Sequence, residues 1–327
     1  MENSALVQNH AGNHEHRGPM HSSDRTLTIS IVIPTYRREQ VLLDTIRYLF
    51  DLRPAAAEIL IIDQTEQHES ATEAALAEWH EQRRIRWICL PQPSITSAMN
   101  QGLKRAHGDI VLFLDDDIIP DQNLIAAHLA AQAEQGRSIV AGQVLQPGEE
   151  ALAAPLGDGP FLFRSSQRRL ITELMGGNFS VKRACALKLG GFDENFVRVA
   201  YRFEAEFCDR ALTEGQQILF EPAASIRHLK AAAGGTRSYG HHLTTVKPSH
   251  AVGAYYYLLR ARQVRHRFAH MLVRFFRSVR TRHHLRHPWW IPGTLFAEML
   301  GFAWALRLAA TGPRLLDHHV EEDEAHA

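Results

Sequence analysis

The feature that most limits the fold of this chain is a repeated order between Leu27 and Asp117, in which an unbroken apolar run is followed by a helical stretch. The first run, "LTISIVIPTY" (27–36), is rich in β-branched residues, is continuously apolar through Ile31–Ile33 and is stopped by Pro34. In "QVLLDTIRYLFDL" after it, Val41, Leu42, Thr45, Ile46 and Leu49 recur at helical steps. "EILIID", "SATEAALAEWHEQ", "IRWICL", "SITSAMNQGLKRA" and "DIVLFLD" continue the order. Strands apolar on both faces belong to a parallel sheet covered by helices on both sides. The expected class is α/β: a Rossmann-like, mostly parallel central sheet flanked by helices. Ligands of such sheets sit outside the carboxyl ends of the strands. Pro34–Tyr36, Asp63 and Asp115–Asp117 all fall at such ends, so three strand tips are expected to line one pocket.

Beyond Pro120 a helix ("QNLIAAHLAAQAEQG"), a strand ("SIVAGQVLQP"), a Gly/Pro-rich excursion (147–170), turn glycines with a short helix ("GGNFSVKRACALKLGGFDENF"), a helix ("YRFEAEFCDRALTEG") and a strand followed by a loop to His228 ("QQILFEPAASIRHL") are expected. From Val252 onward Tyr255, Tyr256, Leu259, Phe268, Met271, Leu272, Phe275 and Phe276 recur at three- and four-residue steps. Arg260, Arg267, Arg274, Arg277 and Arg280 interleave with them, as in a basic amphipathic helix. The stretch around Trp289 and Trp290 is more apolar, but Glu298 and Arg307 interrupt it. It falls short of the ~20 clean apolar residues a spanning helix needs. Residues 1–26 are polar and His-rich, without an apolar leader; they read as a solvated, disordered tail.

Charge is unevenly placed. Residues 1–221 hold 21 Lys+Arg against 30 Asp+Glu, whereas 222–297 hold 13 Lys+Arg and no acid. That asymmetry points to an anionic partner for the C-terminal third. Cys89, Cys185 and Cys208 are far apart and form no CxxC pair, which argues against a disulfide scaffold or zinc ribbon and fits a reducing compartment.

Three adjacent carboxylates at the end of an apolar strand repel one another, and a divalent cation would neutralise them. Hard oxygen ligands suit Mg2+ or Mn2+, ions that complete their shells with phosphate oxygens. In an extended turn the first and third carboxylates share a side, so Asp115 and Asp117 can face one metal–diphosphate unit while Asp116 points elsewhere.

The ordered set "SIVIPTYRR", "EILIIDQT", "AMNQGLKRAHGDIVLFLDDD", "GGNFSVKR…GGFDENF" and "FEAEFCDRALTEG…PAASIRH" closely resembles family-2 glycosyltransferases of the GT-A fold, over roughly residues 27–230. The resemblance implies a GT-A catalytic domain over 27–235, followed by a basic helical extension over 236–327. It implies a nucleotide pocket lined by Pro34, Thr35 and Tyr36, with Asp63 on the base. It implies Asp115 and Asp117 as metal ligands beside the diphosphate and ribose, Asp116 next to them, and His228 as a further ligand. Gly177 and Asn178 match a loop near the donor sugar. Asn100 matches a structural position, and Asp193 either the acceptor side or a cap.

The family's general base comes from a Glu-Asp pair opening a helix. Here Glu204 stands on the Glu position, Ala205 replaces the Asp and Glu206 follows. Three readings stay open: Glu204 or Glu206 is the base, the activity is weak or lost, or Asp209 or another acid does the work. Arg237, in a glycine-flanked stretch, could close on a diphosphate as part of a lid. The implied reaction is metal-dependent, inverting transfer from a nucleoside-diphosphate sugar to a saccharide or lipid-linked acceptor in cell-surface polysaccharide or glycolipid synthesis. The expected location is cytoplasmic, with the basic helices against the anionic inner face of the membrane. The alternative is an inert GT-A domain serving as a membrane- or nucleic-acid-binding module. No RRM, KH or zinc pattern supports a nucleic-acid partner, and "IPTYRRE" lacks the Gly-rich first loop of a nucleotidyltransferase.

Overall fold

The computed structural model of the chain describes residues 26–152, 161–262 and 264–317. The expected His-rich tail therefore lies outside the described residues but for Thr26, as does part of the 147–170 excursion. The first half follows the expected order: β1 (Ile29–Thr35), α1 (Gln40–Phe50), β2 (Glu58–Asp63), α2 (Ser70–Glu81), β3 (Arg86–Cys89), α3 (Ile95–Arg105) and β4 (Ile110–Leu114). These strands pair in parallel, and β1 sits between β2 and β4. Ile29, Ile31 and Ile33 of β1 pack toward α1 and α2, while Val32 packs on the other face against Ala98, Met99 and Leu103 of α3. Both faces are covered, which is why the strands are mostly apolar on both sides.

The second half adds β5 (Ile118–Pro120), α4 (Leu124–Ala133), β6 (Ile139–Leu145), β7 (Arg169–Ile171), β8 (Asn178–Lys182), α5 (Arg183–Lys188), α6 (Phe203–Thr213) and β9 (Ile218–His228). The sheet order is β3-β2-β1-β4-β8-β6-β9-β5, with β7 also on β9. β8 runs antiparallel between β4 and β6, and β5 and β7 run antiparallel to β9. Neither β5 nor β8 was expected from the sequence. β8 reads "NFSVK", yet all but its last residue are buried. Its polar side chains are satisfied from α4: His128 bonds Ser180 Oγ at 2.9 Å and Asn178 Oδ1 at 3.0 Å, and Gln132 donates to Ser180.

β9 bends where Gly142 pairs with Glu221 but Gln143 pairs with Ser225, leaving Pro222, Ala223 and Ala224 looped out. Pro222 brings no N–H to a ladder, which suits it to a bulge. The bend carries the last part of β9 back toward the end of β4.

The expected single amphipathic helix after Val252 is instead three: α7 (Val252–Arg260), α8 (Arg267–Arg277) and α9 (Arg282–Arg286), followed by α10 (Trp290–Thr311). They differ in role. Tyr255 and Tyr256 of α7 are buried in the main core, and the Tyr256 hydroxyl donates to Asp193 Oδ2 at 2.6 Å. Asp193 Oδ1 accepts from the Asn195 and Arg314 backbone amides, so this carboxylate caps its own turn and ties the C-terminal segment to the sheet domain. Among the described residues no helix is long and apolar enough to cross a membrane.

Candidate active site

Pro34 shapes the crevice. β1 pairs with β4 only as far as Val32 with Phe113, and Pro34, without an N–H, lies beyond that last rung. The chain leaving β4 is then free to turn, and it turns through Asp115, Asp116 and Asp117 before β5 pairs with the end of β9.

The three carboxylates have different surroundings. Asp116 is buried; its Oδ2 accepts from Thr35 Oγ1 at 2.8 Å and its Oδ1 from Arg38 Nε at 3.0 Å. Burial raises it above the usual carboxylate range, against the pull of the Arg38 charge. Thr35 and Asp116, both expected beside the nucleotide, thus bond each other. Asp117 is also buried, with Oδ2 accepting from the Ala231 amide at 2.7 Å and from Arg38 at 3.4 Å. Burial acts to raise Asp117, yet the bonds from His228 and Ala231 and the Arg38 charge hold it below the usual range. Asp115 keeps 41% of its side chain exposed.

Asp115, Asp117 and His228 converge. His228 Nε2 lies 3.1 Å from Asp117 Oδ1 and 3.8 Å from Asp115 Oδ2, and the ligand atoms of all three lie within 4.8 Å of one another. Gln146 Oε1, 3.1 Å from His228 Nδ1, orients the ring from behind. Two carboxylates and one imidazole with an open side suit a hard divalent cation. Without one, burial pulls His228 toward neutrality, but Asp117 and Asp115 raise it above the ordinary histidine value.

The Gly176–Gly177 turn separates this cluster from Glu204. A Cβ on Gly177 would stand 2.0 Å from Asp115 Oδ2, and one on Gly176 would stand 3.1 Å from Glu204 Oε1. A side chain at 177 would displace Asp115, whereas at 176 the contact with Glu204 is merely tight. Glu204 opens α6, where its own amide and that of Gly176 favour the ionised form. Burial outweighs them and, helped by the Asp115 charge, pushes Glu204 up to about 7.

Glu206 does not join the cluster. Its two oxygens accept from Arg210 Nε at 2.7 Å and Nη2 at 2.9 Å, and Arg210 also bonds the Leu189 and Gly191 carbonyls. This correction follows from helical geometry: Glu206 and Arg210 are one turn apart, while residues two apart point in different directions. The Asn178 side chain is engaged elsewhere as well. It is fully buried, and its Nδ2 donates to the Gln143 and Ala224 carbonyls at the β9 bend. A Cβ at Gly142 would stand 2.2 Å from that Nδ2, so Gly142 makes room for the bond.

Asp63 closes the far side. It accepts from His68 Nε2 at 2.6 Å, Trp87 Nε1 at 2.9 Å and the Thr65 amide at 2.9 Å, while Glu39 lies 3.2 Å from the other His68 nitrogen. Burial acts to raise Asp63, but these bonds hold it below the usual range. Tyr36 is half-buried under the Arg37 guanidinium, 5.0 Å from its ring centroid, and its carbonyl accepts from the Gly235 amide at 2.7 Å.

The loop after His228 lies over the carboxylates. Arg38 bonds the Ala231 and Ala233 carbonyls and both buried aspartates. No role for Arg38 follows from sequence, although its adjacency to the strand tip in "IPTYRR" was a usable signal. Arg237 is exposed at the far end of this loop, and its charge reaches His228. Beyond it a cavity of about 790 Å³ is lined by Arg198, Tyr239, His241, Lys247 and Trp304 among others, with no acid.

Residues 30–189 match the pattern of the family described as Glycosyl transferase family 2. The chain is similar to the probable glycosyltransferase YdaM of Bacillus subtilis (strain 168), 22% identical over 210 residues, 60% of this chain and 49% of YdaM. It thus spans about half the length of that relative. Among solved structures it is similar to GalNAc-T7 with UDP, GalNAc and Mn2+: TM-score 0.57, 15% identity, 74% of this chain and 52% of that one. It is also similar to the mannosyltransferase PcManGT from Pyrobaculum calidifontis in complex with GDP-Man and Mn2+: TM-score 0.52, 16% identity, 88% of this chain and 80% of that one. At these identities the likeness to both is one of fold.

Proposed function

Through residues 30–189 this chain belongs to glycosyl transferase family 2, on a GT-A fold, and from that premise we propose that it transfers a sugar from a nucleoside-diphosphate donor to a hydroxyl acceptor with inversion. The carrying observation is the convergence of Asp115, Asp117 and His228 across a glycine turn from Glu204. Mg2+ or Mn2+ held by those three residues would neutralise the departing diphosphate.

In this reading Asp63 and Tyr36 bound the base pocket, and Arg237 meets the diphosphate from the loop over the site. Gly177 lets the backbone come close to the donor sugar. As the acceptor oxygen forms its bond to C1, the bond from C1 to the diphosphate breaks and Glu204 takes the hydroxyl proton. A single displacement of this kind inverts the anomeric centre. The acid-free cavity beside the loop receives the acceptor, a saccharide or lipid-linked hydroxyl of cell-surface polysaccharide or glycolipid synthesis, at the cytoplasmic face of a membrane.

A donor-hydrolysis screen across nucleotide sugars with Mn2+ tests the reading. One donor turned over by the wild type and at least a hundredfold more slowly by Glu204→Gln supports it. Turnover of that donor unchanged in Glu204→Gln contradicts it.

A further inference from the structure

α8 turns its largest apolar side chains to water. Phe268 is 72% exposed, Leu272 60%, Val273 60% and Phe276 56%, while Met271 alone of the helix is buried. Phe268, Leu272 and Phe276 fall at four-residue steps and so form one stripe along a helix about 16 Å long. The orientation is fixed from inside: Arg274 donates to Glu298 Oε1 at 3.1 Å and stacks 5.4 Å from the Tyr255 ring centroid. A charged residue inward and a greasy stripe outward reverse the usual arrangement of a surface helix. Leu285 on α9 and Trp289 after it are 84% and 67% exposed. An exposed apolar stripe of this kind marks a partner.

We propose that α8 and the α9 segment dock on an anionic lipid bilayer, with the stripe among the acyl chains and the arginines at the headgroups. Charge selects this occupant. Arg267, Arg277, Arg280, Arg282 and Arg286 are all exposed around the stripe, and residues 222–297 contain no acid. A second copy of the chain would set arginine against arginine across the contact. A nucleic acid would take the arginines and leave Leu272 and Val273 in water. A bilayer with acidic headgroups answers both halves of the surface.

The proposal stands apart from the transferase reading, and its test measures binding alone. Full-length protein is floated with vesicles of phosphatidylglycerol and phosphatidylcholine, and with vesicles of phosphatidylcholine only. The wild type is expected to float with the anionic vesicles and to release as NaCl rises. Phe268→Ser/Leu272→Ser/Phe276→Ser, which alters exposed side chains only, lowers the partition at least tenfold at an unchanged melting temperature. Arg277→Gln/Arg280→Gln/Arg282→Gln lowers it about a hundredfold, near fivefold per charge. No flotation, or equal flotation with neutral vesicles, overturns the proposal. So does a wild-type dimer in light scattering that the apolar triple variant converts to monomer, and so does displacement of all bound protein from vesicles by a single-stranded oligonucleotide.

Discussion

Glu204 and Glu206 lie two positions apart on α6, and their neighbours separate their chemistry. Glu206 is neutralised by a bidentate arginine, whereas Glu204 faces Asp115 across two glycines. Glu204→Gln should lower kcat by about 10²–10⁴ with the donor Kd little changed, as expected for loss of a general base. Glu206→Gln should instead destabilise the fold by about 3 kcal/mol in a denaturant titration, because Arg210 is left half-paired near the core. A base must be ionised, and burial pushes Glu204 up to about 7, so kcat/KM should fall as pH drops through that value. A cation beside Asp115 removes part of the cause and shifts the limb downward, while burial, the larger cause, still acts to raise Glu204. A flat profile from about pH 5 to 8 would contradict this assignment. Both glutamates were legible as candidates, since an acid pair opening a helix is a local pattern. Which one faces the pocket was not, because that depends on where Arg210 and the Gly176–Gly177 turn arrive in space.

Among the elements, the parallel half was read from the sequence because each strand is a continuous apolar run. β8 and the β9 bend were missed for a common reason: they are built from polar groups satisfied at long range. His128 shows the pairing most clearly. Asn178 Nδ2 donates to two carbonyls, so Asn178 Oδ1 must accept, and His128 Nε2 carries the proton. Burial opposes a second proton and lowers His128 to about 4, against an ordinary 6.5. The folded value lies below the unfolded one. The stabilising contribution is therefore complete above pH 6.5 and lost as pH falls toward 4, by about 3 kcal/mol in total. Denaturant titrations between those pH values should show the slope, and His128→Gln should flatten it. Arg38 supports the site in a parallel way, by lying between Asp116 and Asp117. Arg38→Met should destabilise the metal-free protein by about 3–5 kcal/mol, and Mn2+ should restore part of that loss by replacing the missing positive charge. Equal melting temperatures of variant and wild type would remove Arg38 from this role.

At the scale of the molecule, a basic C-terminal third was evident from charge alone, but its division of labour was not. α7 is core, with two buried tyrosines, while α8 holds its apolar stripe outward. The same three-and-four spacing describes both helices, and only the packing partners distinguish them. The chain thus combines a GT-A sheet, a loop pinned across the strand tips by Arg38 and a helical surface unsuited to water alone. Sugar transfer by this chain would depend on one cation site that binds a nucleoside diphosphate. Isothermal titration of UDP, GDP and dTDP into the wild type and Asp117→Asn, with and without Mn2+, tests it directly. The account predicts that at least one nucleotide binds the wild type only when Mn2+ is present, and that Asp117→Asn loses that binding. Binding indifferent to Mn2+, or retained in full by Asp117→Asn, would contradict it.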